Sequence, residues 1–127
     1  MRSLLEQDPV LDMQVLLSSL RVVNSQGETL FPTLLEQFRT NSLQVMAQLG
    51  DGIERSDSRS VAHTLYVFKG SCQLIGAPRL ERLAESLRQE CLQGMMPAND
   101  RWNHLVHTFD EFVDTVQRFQ IVYYCRA

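Results

Sequence analysis

The three cysteines, Cys72, Cys91 and Cys125, are odd in number and show no Cys-x-x-Cys spacing, which excludes a disulfide framework and a cysteine zinc site. Cys72 and Cys91 are read instead as small core residues. Apolar runs are short. Residues 15–17 and 121–125 fall far below the roughly 18 residues that a membrane span requires. The first eight residues hold no continuous apolar segment and no small-residue cleavage site, so no secretory signal is read and the cytoplasm is the expected location. Positive charge is not in surplus. A formal net charge of −3 without clustered Lys and Arg offers nothing to displace counterions from a nucleic acid, which excludes DNA and RNA as partners. Internal repeats and low-complexity segments are absent too. What is present is ordinary for a globular chain: 127 residues, 44% hydrophobic and 21% charged, enough for one core and one domain over residues 1–127.

Apolar residues recur at helical spacing. Asp8-Pro9 offers an N-cap and a proline at the first helical position, and Val10, Met13, Leu16, Leu17 and Leu20 then predict a helix over residues 9–23. After a turn cluster, Phe31, Leu34, Leu35, Phe38, Leu43, Val45, Met46, Leu49 and Ile53 predict a longer helix over 28–55, with Pro32 tolerated near its start. Gly50 and Gly52 would each cost ~1 kcal/mol there, and continuation past them is favoured over an end at Leu49. Ser56-Asp57-Ser58 supplies the next N-cap, and Val61, Leu65, Phe68, Cys72 and Ile75 form the seam of a helix over 57–75. Gly76-Ala77-Pro78 breaks it. Leu80, Leu83, Ala84, Leu87 and Cys91 predict a helix over 78–93, and Trp102, Leu105, Val106, Phe109, Phe112, Val113, Val116 and Phe119 one over 99–120. The tail 121–125 has strand-like composition without a partner strand, and is read as a helix end or a packed tail. The short connections favour an all-α, antiparallel up-down four-helix bundle with an additional N-terminal helix alongside.

The third predicted helix carries the candidate site. With its seam at zero, His63 falls near ~200°, Gly70 near ~180°, Tyr66 near ~140°, Gln73 near ~120° and Lys69 near ~80°, all away from the core. An exposed mid-helix glycine costs stability, so its use would be to let another surface approach the backbone; on geometry alone a merely tolerated glycine stands equal. Val67 and Leu74 fall on the exposed side as well, where a docking patch and packing under the first helix are balanced readings.

The segment Phe68-Lys69-Gly70-Ser71-Cys72-Gln73-Leu74-Ile75-Gly76-Ala77 resembles that of the histidine-phosphotransfer (HPt) family, which reads His-x-Leu-Lys-Gly-Ser, four residues, then Gly-Ala. Val10-Leu11-Asp12, Phe38, Asp57 and the stretch from Leu80 to Leu87 also fall where that family places similar residues, so the resemblance covers nearly the whole chain. It implies an exposed histidine that exchanges a phosphoryl group with a receiver-domain aspartate, a cation one turn away to stabilise the phosphoryl charge, and a glycine that clears space for the receiver. Lys69 and Gly70 match the last two roles. The residue three before the lysine is Tyr66, not histidine.

The favoured reading is therefore a pseudo-HPt protein that docks a response-regulator receiver domain through His63, Tyr66, Val67, Lys69, Gly70, Gln73 and Leu74 without carrying phosphate, with a sensor kinase as a further candidate partner. Second comes an active phosphotransfer protein using His63, with Mg²⁺ supplied by the partner. Against it, the i+3 and i+4 positions from His63 hold Tyr66 and Val67 in place of lysine and glycine. Third comes a helical interaction protein without receiver binding. No cofactor is expected, and a monomer is favoured. His104 and His107 lack the further ligands of a metal site, although Asp110 and Glu111 are near, and are read as surface histidines. Trp102, Phe109, Phe112 and Phe119 are read as core, and Glu81, Glu85, Arg88 and Gln89 as an ordinary solvated face with an i, i+4 pair or two.

Overall fold

The computed structural model describes Asp12, Gln14 and residues 31–125, with side chains described up to residue 118. The elements in chain order are α1 (Phe31–Glu54), α2 (Ser58–Ile75), α3 (Pro78–Leu92) and α4 (Asn99–Cys125), with no strand among the described residues. Most of the helix expected over residues 9–23 lies outside the described residues. Asp12 is itself not helical, contrary to a helix begun at Pro9: its carboxylate accepts from the N–H of Gln14 at 2.9 Å, as an N-cap would. The Asp12 N–H donates to the Gly76 carbonyl at 2.7 Å, which ties this segment to the end of α2.

Local chemistry sets the helix ends. α1 runs through Gly50 and Gly52 and stops where Ser56 takes a left-handed φ of 54°, letting the Asp57 N–H reach back to the Gly52 carbonyl at 2.9 Å. Asp57 then caps α2, its side chain accepting from the Ser60 N–H at 3.1 Å. Gly76 ends α2 at φ 80°, a conformation in which a Cβ would be strained. The Ala77 N–H returns to the Cys72 carbonyl at 2.9 Å. Pro78 follows directly as the first residue of α3, so a two-residue link turns the chain back on itself. α4 extends beyond the expected end at residue 120, through the β-branched and aromatic tail to Cys125. Tail residues of high strand propensity have no strand to join, and continuing the helix satisfies their backbone groups.

α2 packs chiefly on α3 and then on α1, and α3 packs on α4. All five seam residues of α2, Val61, Leu65, Phe68, Cys72 and Ile75, are buried. Phe38 of α1 sits at the centre of the aromatic core, its ring 6.2 Å from Phe68, 5.8 Å from Phe109 and 5.7 Å edge-on from Phe112. Trp102 is half-buried against this core, and its indole N–H donates to the Pro97 carbonyl at 3.0 Å. Polar pairs join α3 to α4: Arg79 to Glu111 at 2.8 Å, and Arg101 to Glu90 and, at 2.8 Å, to Ser86. No helix among the described residues is long and apolar enough to cross a membrane.

The two glycines near the end of α1 differ in use. A Cβ on Gly52 would sit 2.7 Å from the Cγ2 of buried Val61, whereas one on Gly50 would meet nothing within 4 Å. Gly52 is thus where α1 approaches α2 closely. Gly52→Ala should destabilise the fold by roughly 1–3 kcal/mol through overpacking. Gly50→Ala should stabilise it by about 0.5–1 kcal/mol by removing backbone entropy from the unfolded chain. Urea unfolding of both variants checks this; shifts of the same sign and size in both, or Gly52→Ala as the more stable, would refute the close approach.

Candidate functional site: the face shared by the second and third helices

With the seam of α2 buried, the helix turns a broad strip outward. Tyr66 is 56% exposed, Val67 53% and Leu74 83%. His63 and Gln73 are exposed as well, and a Cβ on Gly70 would meet nothing within 4 Å. Lys69 departs from expectation. Its side chain is only 26% exposed because it lies against α3, where its ammonium pairs with Glu85 Oε1 at 3.1 Å.

The α3 residues expected to form an ordinary solvated face do hold an i, i+4 pair, Glu85 with Gln89, and they also pair with the strip of α2. Glu85 accepts from Lys69, from the Arg88 guanidinium at 3.0 and 2.9 Å, and from the Gln89 amide at 2.6 Å. Arg88 in turn lies over the Tyr66 ring, 5.2 Å from its centroid, as a cation–π pair. The Gln73 amide donates to Glu81 Oε2 at 2.9 Å. The pairs Tyr66 with Arg88, Lys69 with Glu85, and Gln73 with Glu81 are symmetric about Ala77, at eleven, eight and four residues on either side. That symmetry belongs to an antiparallel helical hairpin. It was present in the sequence, but became informative only once the link was known to be as short as Gly76-Ala77.

Hydrogen bonds from Gln89 and Lys69 and the charges of Arg88 and Lys69 hold the Glu85 carboxyl below its ordinary value of 4.5, against a smaller opposing effect of burial. Burial, and the charge of Glu81 after it, pushes the Cys72 thiol far up; burial and then Glu90 raise Cys91. Both are buried free thiols whose surroundings favour the protonated form. No cluster among the described residues could hold a metal ion. His104 and His107 are both exposed.

Lys69 and Gly70 thus lie on the second described helix of a four-helix bundle, and the family model of the Hpt domain matches residues 33–119 of the chain. The chain belongs to the Hpt domain family. Domains of this family partner with response regulators and kinases in phosphorelays. Histidine-containing phosphotransfer protein B from Pseudomonas aeruginosa has a similar crystal structure, with a TM-score of 0.68 over 94% of this chain and 97% of that one. At 24% sequence identity this likeness speaks for the fold alone. No curated protein matches the chain. In this Hpt domain, Tyr66 rather than a histidine stands three residues before the lysine.

Because Glu85 is held ionised in the folded state, its contribution to stability is present above the unfolded carboxylate pKa and is lost as pH falls through the depressed folded value. Wild-type melting temperature should therefore drop as pH is lowered from about 6 to about 3 more steeply than that of Glu85→Gln. Thermal melts followed by circular dichroism at matched ionic strength read the two slopes. Parallel acid limbs would show that Glu85 gives no pH-dependent support to the face.

Proposed function

We propose that this Hpt domain docks the receiver domain of a response regulator through the exposed strip of α2, without itself carrying phosphate, and that residues 1–127 act as one unit. The observation that carries the reading is the open space over Gly70 beside an exposed Tyr66. A mid-helix glycine with nothing near its missing side chain costs roughly 0.5–1 kcal/mol and serves no internal packing, so close approach by an external surface is its physical use. Around it, His63, Tyr66, Val67, Gln73 and Leu74 provide an apolar and hydrogen-bonding contact area, and Lys69 a partly shielded cation.

Transfer through Tyr66 is disfavoured by its chemistry, since a tyrosyl phosphate is a stable ester and a poor donor beside a phosphoimidazole. His63 is exposed, but the positions three and four beyond it hold Tyr66 and Val67, and Lys69 lies nearly two turns away, held by Glu85. Neither position supports a phosphoryl group on His63. The function that remains is sequestering a regulator or modulating a relay by occupancy.

Three measurements test this. Gly70→Arg should weaken binding to a cognate receiver domain by tenfold or more, about 1.4 kcal/mol, in calorimetric titration. Gly70→Ala should raise the melting temperature, because it fills only open space. A phosphorylated receiver incubated with the protein should pass no phosphate to it. Acid-labile phosphate that appears on the chain and vanishes in His63→Ala would establish relay through His63 instead. Absence of any receiver binding by wild type would leave a helical interaction protein.

A further inference from the structure

Beyond the strip of α2, the same face holds a shallow depression lined by Arg59, Ala62, His63, Tyr66, Arg88 and Leu92. No carboxylate lines it. Its charge runs against that of the chain, whose formal net charge is −3. Arg59 is exposed and makes no ion pair or hydrogen bond with any described residue. Most of the other arginines described are paired: Arg39 with Glu36, Arg55 with Asp51, Arg101 with Glu90 and Arg118 with Asp114. Arg88 is fixed from behind by Glu85, and its cation lies over the Tyr66 ring. It is thus held in place at the rim before any partner arrives. Leu92, 56% exposed, and the Tyr66 ring add apolar area beside the two guanidinium groups.

We infer that this depression extends the docking surface onto α3 and receives an acidic patch of the partner protein, one that presents carboxylates next to an apolar side chain. The inference rests on the docking reading above for the identity of the partner, but not for the chemistry of the patch. Charge complementarity selects the occupant. A free arginine and an immobilised one flank an aromatic ring, which suits carboxylates and a hydrophobic contact together, because guanidinium groups bind carboxylates in a planar fork. The negative charge of the chain as a whole opposes a polyanion that would need an extended basic track, so a protein surface fits better than a nucleic acid. Such charges act mainly on the rate of encounter and on its salt dependence.

The test has two arms on the full chain. In the first, a receiver domain is titrated with wild type, Arg59→Glu and Arg88→Glu over a range of sodium chloride concentrations. Each variant should bind about fivefold to tenfold more weakly at low salt and show a flatter salt dependence than wild type. Arg59→Glu keeps the result independent of folding, since that side chain has no described partner to lose. In the second arm, an oligoglutamate peptide ending in leucine is titrated against labelled protein and amide shifts are followed by NMR. The shifts should centre on Arg59, His63, Tyr66, Arg88 and Leu92, and should disappear in the double variant Arg59→Glu/Arg88→Glu. Receiver binding that is equal in wild type and both variants would overturn the inference while leaving the docking reading in place. Peptide shifts at these residues with no receiver binding would uphold the acidic-patch site and remove the receiver as its partner. Peptide shifts centred elsewhere on the protein would also overturn it.

Discussion

The rotational setting of α2 governs the rest of the molecule. Val61, Leu65, Phe68, Cys72 and Ile75 are buried along one line of the helix, and each large apolar side chain among them contributes roughly 1.5–3 kcal/mol by leaving water. Turning the helix by a single residue would drive Lys69 or Tyr66 into the core and expose Phe68, at the cost of a buried charge or an unsatisfied hydroxyl. The seam therefore decides which residues face outward. His63, Tyr66, Gly70, Gln73 and Leu74 are turned away from the core because the opposite side of the same helix has no other stable place to go.

The hairpin of α2 and α3 adds a second constraint. Gly76 supplies the left-handed turn and Pro78 starts the next helix at once, so the two helices run back along each other in a fixed register. Tyr66, Lys69 and Gln73 then meet Arg88, Glu85 and Glu81. Glu85 stands at the centre and holds two cations that would otherwise repel each other. Half-exposed ion pairs of this kind contribute little to stability, and their main consequence is geometric. The cations of the face are restrained within the protein itself, which would lower the ordering cost of the docking proposed above.

The glycines show how stability and function compete within one helix pair. Gly52 is required by packing, since Val61 occupies the space of its missing side chain, and Gly76 is required by backbone conformation. Gly70 answers to neither demand. Its missing side chain leaves open space on the exposed strip, beside Tyr66.

By itself the sequence determined the all-helical class, the seam of α2, the turn at Gly76-Ala77 and the outward position of Tyr66, Gly70 and Gln73. Each of these depends on short-range spacing: the apolar period of a helix, and the local chemistry of a cap or a turn. It also places Tyr66, not a histidine, three residues before Lys69. Only the tertiary structure decided that Lys69 is half-buried and paired with Glu85, that Arg88 lies over Tyr66, that Gly52 is a contact between helices, and that the tail to Cys125 stays helical. Those features depend on which residues of separate helices come into register. A charged residue beside an apolar seam looks the same in sequence whether it faces water or an opposite charge across a hairpin.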